Sequence, residues 1–339
     1  MNKGLRNRWL AAAAAGASSI LLLSGFDSAM TAEDVTEKMR ESMISMGGVD
    51  VSVRADADIS IDISSGGQTQ SVPVKGTMDY TVQLQEEPLM MAVSGSMSGD
   101  ASAMGIAGDV NIDMYLVQQD DGTGIAYVRF PQGDDTGWHA AAVTEEDMNM
   151  MTSTVKASLS SDASSAGQAL GLDLGDIQEK LSTSMSLAPD PVNVNGVDCY
   201  EITQTVDGAV LLDILSQTAA AMPQAGVDSS TLSSFGALFD GIVIDGVTDC
   251  SVDSFAPVYA GIDLSGSDFS AIGQMFGSMM AAPDDGSQTP DVSVTVNTLK
   301  ADMQYSEPSG IVIPQEALAA EIETTMSLSA AANEAQSTE

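Results

Sequence analysis

Residues 49–63, VDVSVRADADISIDI, alternate without a break: Val49, Val51, Val53, Ala55, Ala57, Ile59, Ile61 and Ile63 take one side, and Asp50, Ser52, Arg54, Asp56, Asp58, Ser60 and Asp62 take the other. A period of two is the repeat of an extended strand with one dry and one wet face. Residues 71–84, SVPVKGTMDYTVQL, repeat the pattern with Val72, Val74, Gly76, Met78, Tyr80, Val82 and Leu84 on the apolar side, and Gly66-Gly67 marks the turn between the two runs. The pair therefore reads as a long hairpin. At about 3.3 Å per residue its first arm would reach about 50 Å, well beyond an ordinary strand, so it is expected to curve around something. Ala55, Ala57 and Gly76 thin the dry face near its middle.

Working outward, Thr31-Ala32-Glu33-Asp34 has the form of a capping box, and Val35, Met39, Met43 and Met46 return on one face of a helix expected over residues 32–46, closed by Gly47-Gly48. That helix stands directly before the hairpin and needs a wall for its Met-rich side. Downstream, residues 89–99 and 104–117 read as further strands, the second with Met104, Ile106, Gly108, Val110, Ile112, Met114 and Leu116 at even positions. Another strand is expected at residues 125–130. Thr144-Glu145-Glu146-Asp147 opens a second capped helix through Leu159, and a further helix is expected over 172–187. Strands resume at 192–206, helices at 207–222 and 230–239, strands at 242–252 and 258–264, a helix at 269–280, and a last long strand at 292–305. Helices inserted between groups of strands, without regular alternation, give an α+β class: a long curved antiparallel sheet of about ten strands, a half-barrel, cupping several helices. No period of 20 to 50 residues repeats and no linker divides the chain, so 31–323 reads as one domain between an N-terminal segment, 1–30, and a polar C-terminal tail, 324–339.

Among its 339 residues the chain carries 48 acidic and 11 basic side chains, a formal net charge of -37. Nucleic-acid affinity comes chiefly from Lys and Arg neutralising phosphates, so this balance excludes that class of partner, and it opposes docking on an anionic membrane surface. Aromatic residues are only 4% of the chain, yet there are 21 methionines, whose flexible thioethers pack an adaptable interior. Lys3, Arg6 and Arg8 precede an apolar run from Trp9 to Leu23, the layout of an export signal, with any membrane contact expected through this segment alone. The expected location is extracytoplasmic, secreted or tethered to a bacterial envelope.

Several phrases resemble those of bacterial LolA/LppX-like envelope lipoproteins. They include Tyr127-Val128-Arg129-Phe130 leading to Gly137-Trp138, Val194-Asn195-Gly196-Val197-Asp198-Cys199-Tyr200, and Ile311-Val312-Ile313-Pro314-Gln315-Glu316-Ala317. Leu23-Ser24-Gly25-Phe26 is similar to a lipobox in which Phe26 replaces the lipidated Cys, so lipidation at that position is chemically closed. The resemblance implies a half-barrel whose apolar cavity holds acyl chains or lipidated cargo, with no catalytic residues.

The dry-face residues Val51, Val53, Met78, Tyr80, Val82, Met91 and Val93 are the candidate lining of a site for a lipid or other apolar small molecule in a monomeric protein. The competing reading is a structural or sensory envelope module in which the protein's own helices fill the cup. Cys199 and Cys250, the only cysteines of an exported chain, are expected to form a disulfide, worth about 4 kcal/mol in the chain-entropy model for a loop of this size. His139 stands alone, so neither a zinc set nor a Ser-His-Asp arrangement is expected, and no cofactor is implied. Asp56-Ala57-Asp58, Asp120-Asp121-Gly122, Asp134-Asp135 and Asp284-Asp285-Gly286 complete no calcium loop and read as solvated turns. No spacing among the carboxylates selects a catalytic dyad, which leaves a carboxylate-dependent hydrolase as the remaining enzymatic alternative.

Overall fold

The computed structural model describes residues 30–65, 67–101, 106–129, 137–159, 184–221, 236–239, 241–280 and 291–326. The export segment with its lipobox-like phrase, Asp134-Asp135 and Asp284-Asp285-Gly286 lie outside them. The strands are β1 (Gly48–Ser65), β2 (Gln68–Gln85), β3 (Met90–Ala101), β4 (Ile106–Gln118), β5 (Gly124–Arg129), β6 (His139–Val143), β7 (Met185–Leu187), β8 (Val192–Val194), β9 (Val197–Asp207), β10 (Val243–Ser251), β11 (Pro257–Asp263), β12 (Asp291–Ser306) and β13 (Ile322–Met326). They build one open, curved sheet in the order β13-β6-β5-β4-β3-β2-β1-β12-β11-β10-β9-β7, with β8 also pairing β9. Every pairing is antiparallel except that of β13 with β6. The α+β half-barrel expected from the alternation is therefore present, with thirteen strands among the described residues where about ten were expected.

The opening hairpin forms its centre. β1 pairs β2 from Gly48↔Gln85 to Ser65↔Gln68 without a shift, and on its other side pairs β12 with a single irregularity between Asp58 and Ile59. A register irregularity of this kind bends a strand too long to stay straight. The helices are α1 (Ala32–Met46), α2 (Glu145–Leu159), α3 (Gly208–Ala221), α4 (Gly236–Phe239), α5 (Ser270–Met280) and α6 (Gln315–Leu318). Thr31 caps α1 through the full box: its hydroxyl accepts from the Asp34 amide at 3.2 Å and its own amide donates to the Asp34 carboxylate at 2.7 Å. Gly47, at φ 63°, ends that helix in the left-handed conformation that glycine adopts at least cost. Thr144 opens α2 in the same way, accepting from the Asp147 amide at 3.2 Å.

Two expectations are corrected here. The helix expected over 172–187 ends instead as β7, because Met185 and Leu187 alternate around Ser186 and pair with β9, placing Leu187 against Ile202. Residues 172–183 of that expectation lie outside the described residues. The segment read as a polar tail from 324 begins within β13, whose pairing with β6 runs to Met326↔Val143.

Three apolar clusters hold the sheet. Val35 and Met39 of α1 pack with Ile202 and Cys250. Met148 of α2 packs with Leu89, Leu116, Ala126 and Val143. The third cluster, Tyr127, Ala140 and Ala317 with Ile313 and Trp138 around it, lies on the opposite face of the sheet. It is made by a strap, residues 307–321, that runs from the end of β12 to β13. The strap follows one cross-strand row, Ser306–Asp50–Gln83–Ala92–Tyr115–Tyr127–Ala140. Asp50, 8% exposed, pins it by accepting from the Ser309 amide at 3.1 Å and from Gln83 at 3.0 Å.

Candidate functional site

Because registered residues of paired strands share a face, the apolar side of the half-barrel can be written as rows. One row runs Tyr305–Val51–Val82–Val93–Met114 across β12, β1, β2, β3 and β4. The next runs Met303–Val53–Tyr80–Gly95–Ile112, and the third runs Ala301–Ala55–Met78–Met97–Val110. All seven residues selected from the sequence fall on this one face: Val51, Val82 and Val93 in the first row, Val53 and Tyr80 in the second, Met78 in the third. Met91 stands one row above, beside Leu84, where it meets the Met148 cluster. The lining chosen from the sequence omitted Tyr305 and Met303, which β12 brings beside β1. Their alternation is legible, but which strands lie beside β1 is not.

The face is not packed like a core. Val51, Val53, Tyr80, Val82, Met91 and Val93 are half-buried, and Met78 is 37% exposed. Met303 and Met114, at the two flanks, are buried at 4% and 7%. A fourth row, Leu299–Ala57–Gly76–Gly99–Gly108, contributes almost no side-chain height. A methyl group on Gly76 or Gly99 would meet only a strand carbonyl at 3.5 Å, an ordinary contact, so the small residues leave a shallow trough. Gly95 is different: a Cβ there would run into the Asp79 carbonyl and the Tyr80 backbone, so close approach of β2 to β3 requires glycine. Burial pushes the phenols of Tyr80 and Tyr305 upward, the latter to about 12, so both rings stay neutral and the row carries no charge.

Helix α1 bears on whether this face is core or surface. Of its buried residues, Ala32, Val35 and Met39 pack with Ile202 and Cys250, on β9 and β10, with Met185 and Leu187 beside them. They are not laid against Ala55, Ala57 and Gly76. Helix α5 packs onto the first residues of β12, where a Cβ on Gly273 would strike the Val292 carbonyl.

No protein-family model and no curated protein matches the chain. Among solved structures, it is similar to LprF from Mycobacterium bovis, at 10% identity over 85% of this chain and 100% of that one, with a TM-score of 0.33. A DUF1329 family protein from Desulfovibrio piger is 12% identical over 81% of this chain and 94% of that one, TM-score 0.18. A domain from Vibrio parahaemolyticus, provisionally described as an outer membrane lipoprotein-sorting protein, is 7% identical over 82% and 93%, TM-score 0.18. TM-scores below 0.5 do not establish a shared function.

The expected disulfide is corrected by the register of β9 and β10. Cys250 pairs with Tyr200, and Cys199 pairs with Ser251, so the two thiols sit on adjacent positions and point to opposite faces. Both are free and buried. Burial raises both thiols, Cys250 to about 12, so neither is a reactive thiolate at neutral pH. Among the described residues no group of three or more His, Cys, Asp or Glu is arranged to hold a metal ion, and no helix is long and apolar enough to cross a membrane.

Proposed function

We propose that this chain is a non-catalytic extracytoplasmic protein that binds an apolar ligand, a lipid or acyl chain, along the apolar face of its half-barrel. The observation that carries the reading is the half-buried row Val51–Val82–Val93, continued by exposed Met78 and the trough of Ala57, Gly76 and Gly99. A sheet face of this size with incomplete cover is costly in water, and flexible thioethers at its flanks suit a chain of variable shape. The packing of α1 against β9 and β10 supports a ligand site over the self-filled module, since the helix nearest in sequence does not occupy the trough.

The test is native mass spectrometry, with lipid extraction, of protein purified from its own host, alongside the Val82→Asp variant. The expected result is a co-purifying lipid in the wild type and its loss in the variant. Wild-type protein that carries no lipid and does not take up a fluorescent fatty acid in vitro would refute the proposal.

A further inference from the structure

The face of the sheet opposite the apolar rows is polar, and several of its hydroxyls pair with one another across neighbouring strands. Ser60 bonds Ser71 at 3.0 Å, Ser64 bonds Thr69 at 2.8 Å, Thr77 bonds Ser98 at 2.7 Å, and Ser186 bonds Thr203 at 2.8 Å. In one row, three neighbouring strands each present an unpaired hydroxyl. Ser52, Thr81 and Ser94 stand in register on β1, β2 and β3, yet among the described residues their hydroxyls make no hydrogen bond. This row lines an open cavity of about 540 Å³ on the polar face, with Arg54, Asp79 and Tyr259 around it.

The charges of the cavity narrow what it can hold. Arg54 donates to Asp56 at 3.1 and 3.4 Å, which leaves N–H groups of its five-donor fork open. Asp79, registered with Arg54, is exposed and makes no hydrogen bond among the described residues. Asp302, Arg54's partner on the other side, accepts from the Tyr259 phenol. An anion would meet Asp79 and Asp302, and a cation would meet Arg54 at the centre. A neutral ligand with many hydroxyls meets neither penalty: its hydroxyls can donate to Asp79, accept from Arg54, and exchange hydrogen bonds with Ser52, Thr81 and Ser94.

We propose that this polar-face cavity is a saccharide-binding site, independent of the apolar face and of any lipid bound there. The test is saturation-transfer NMR on the full chain with neutral tri- and tetrasaccharides of glucose, mannose and galactose in α and β linkage. Spermidine and inorganic phosphate serve as cationic and anionic comparators. At least one saccharide is expected to bind saturably. That binding should fall at least ten-fold in Asp79→Asn and in Thr81→Val, and stay unchanged in Ser71→Ala, on the same polar face but outside the cavity. Thr81→Val is nearly isosteric, so Ser94→Ala serves as the second variant only if Asp79→Asn fails to fold. No saturable saccharide binding at 10 mM, tighter binding of spermidine or phosphate, or binding that survives the Asp79 and Thr81 substitutions would each overturn the proposal.

Discussion

Replacing Asp249 with Asn is expected to stabilise the protein at neutral pH. Asp249 lies on β10 between Glu201 on β9 and Tyr259 on β11, is 3% exposed, and its Oδ1 has no hydrogen-bond partner. Cys199, Cys250 and Tyr259 are the other titratable groups that feel the charge of Asp249. Desolvation, reinforced by the charge of Glu201, raises the Asp249 carboxyl from 3.8 to about 6. The sign follows from the raised value. The penalty is full above the folded pKa, declines as pH falls through about 6, and is gone below the unfolded value near 3.8. A difference of about two pKa units at about 1.4 kcal/mol each sets an upper bound of about 3 kcal/mol at pH 7.5. The amide is still buried without a full set of partners, so a gain of about 1 to 3 kcal/mol is expected. Urea denaturation of wild type and Asp249→Asn, followed by circular dichroism at pH 7.5 and 4.5, measures it. The gain should be largest at pH 7.5 and shrink at pH 4.5. A destabilised variant at pH 7.5, or a difference independent of pH, would refute a buried ionised carboxylate.

Three further outcomes follow from the same geometry. Gly95→Ala should destabilise by about 1 to 3 kcal/mol because its Cβ meets the Tyr80 backbone, whereas Gly76→Ala, whose Cβ makes only an ordinary contact with the Ser98 carbonyl, should change stability by well under 1 kcal/mol in the same denaturation assay. Without reductant, iodoacetamide should label both Cys199 and Cys250 after unfolding, seen as two adducts by mass spectrometry, while the native protein at pH 7 should label slowly because both thiols are buried with raised pKa values. Asp50→Ala removes the acceptor of Ser309 and Gln83, so hydrogen exchange should accelerate across residues 307–314 and leave the centre of β1 protected.

The alternation of residues 49–63 and 71–84 was enough to determine two long strands, their turn and the side of each that avoids water. It also determined that Val51, Val53, Tyr80 and Val82 share a face, because side-chain direction in a strand is a property of the local backbone. Thr31 and Thr144 announced their helices for the same reason: a cap is made within four residues. Tertiary structure alone decided what depends on which distant strands become neighbours. It set Tyr305 beside Val51, and it put Cys199 and Cys250 out of phase by one residue, where sequence reading expected a bridge. It sent Ala32, Val35 and Met39 of α1 to Ile202 and Cys250 instead of to the trough. The polar cavity belongs to the same class of fact: Ser52, Thr81 and Ser94 look like ordinary wet-face residues until three strands align their hydroxyls, and Arg54 meets Asp79 and Asp302 only through pairings fixed by register across the sheet.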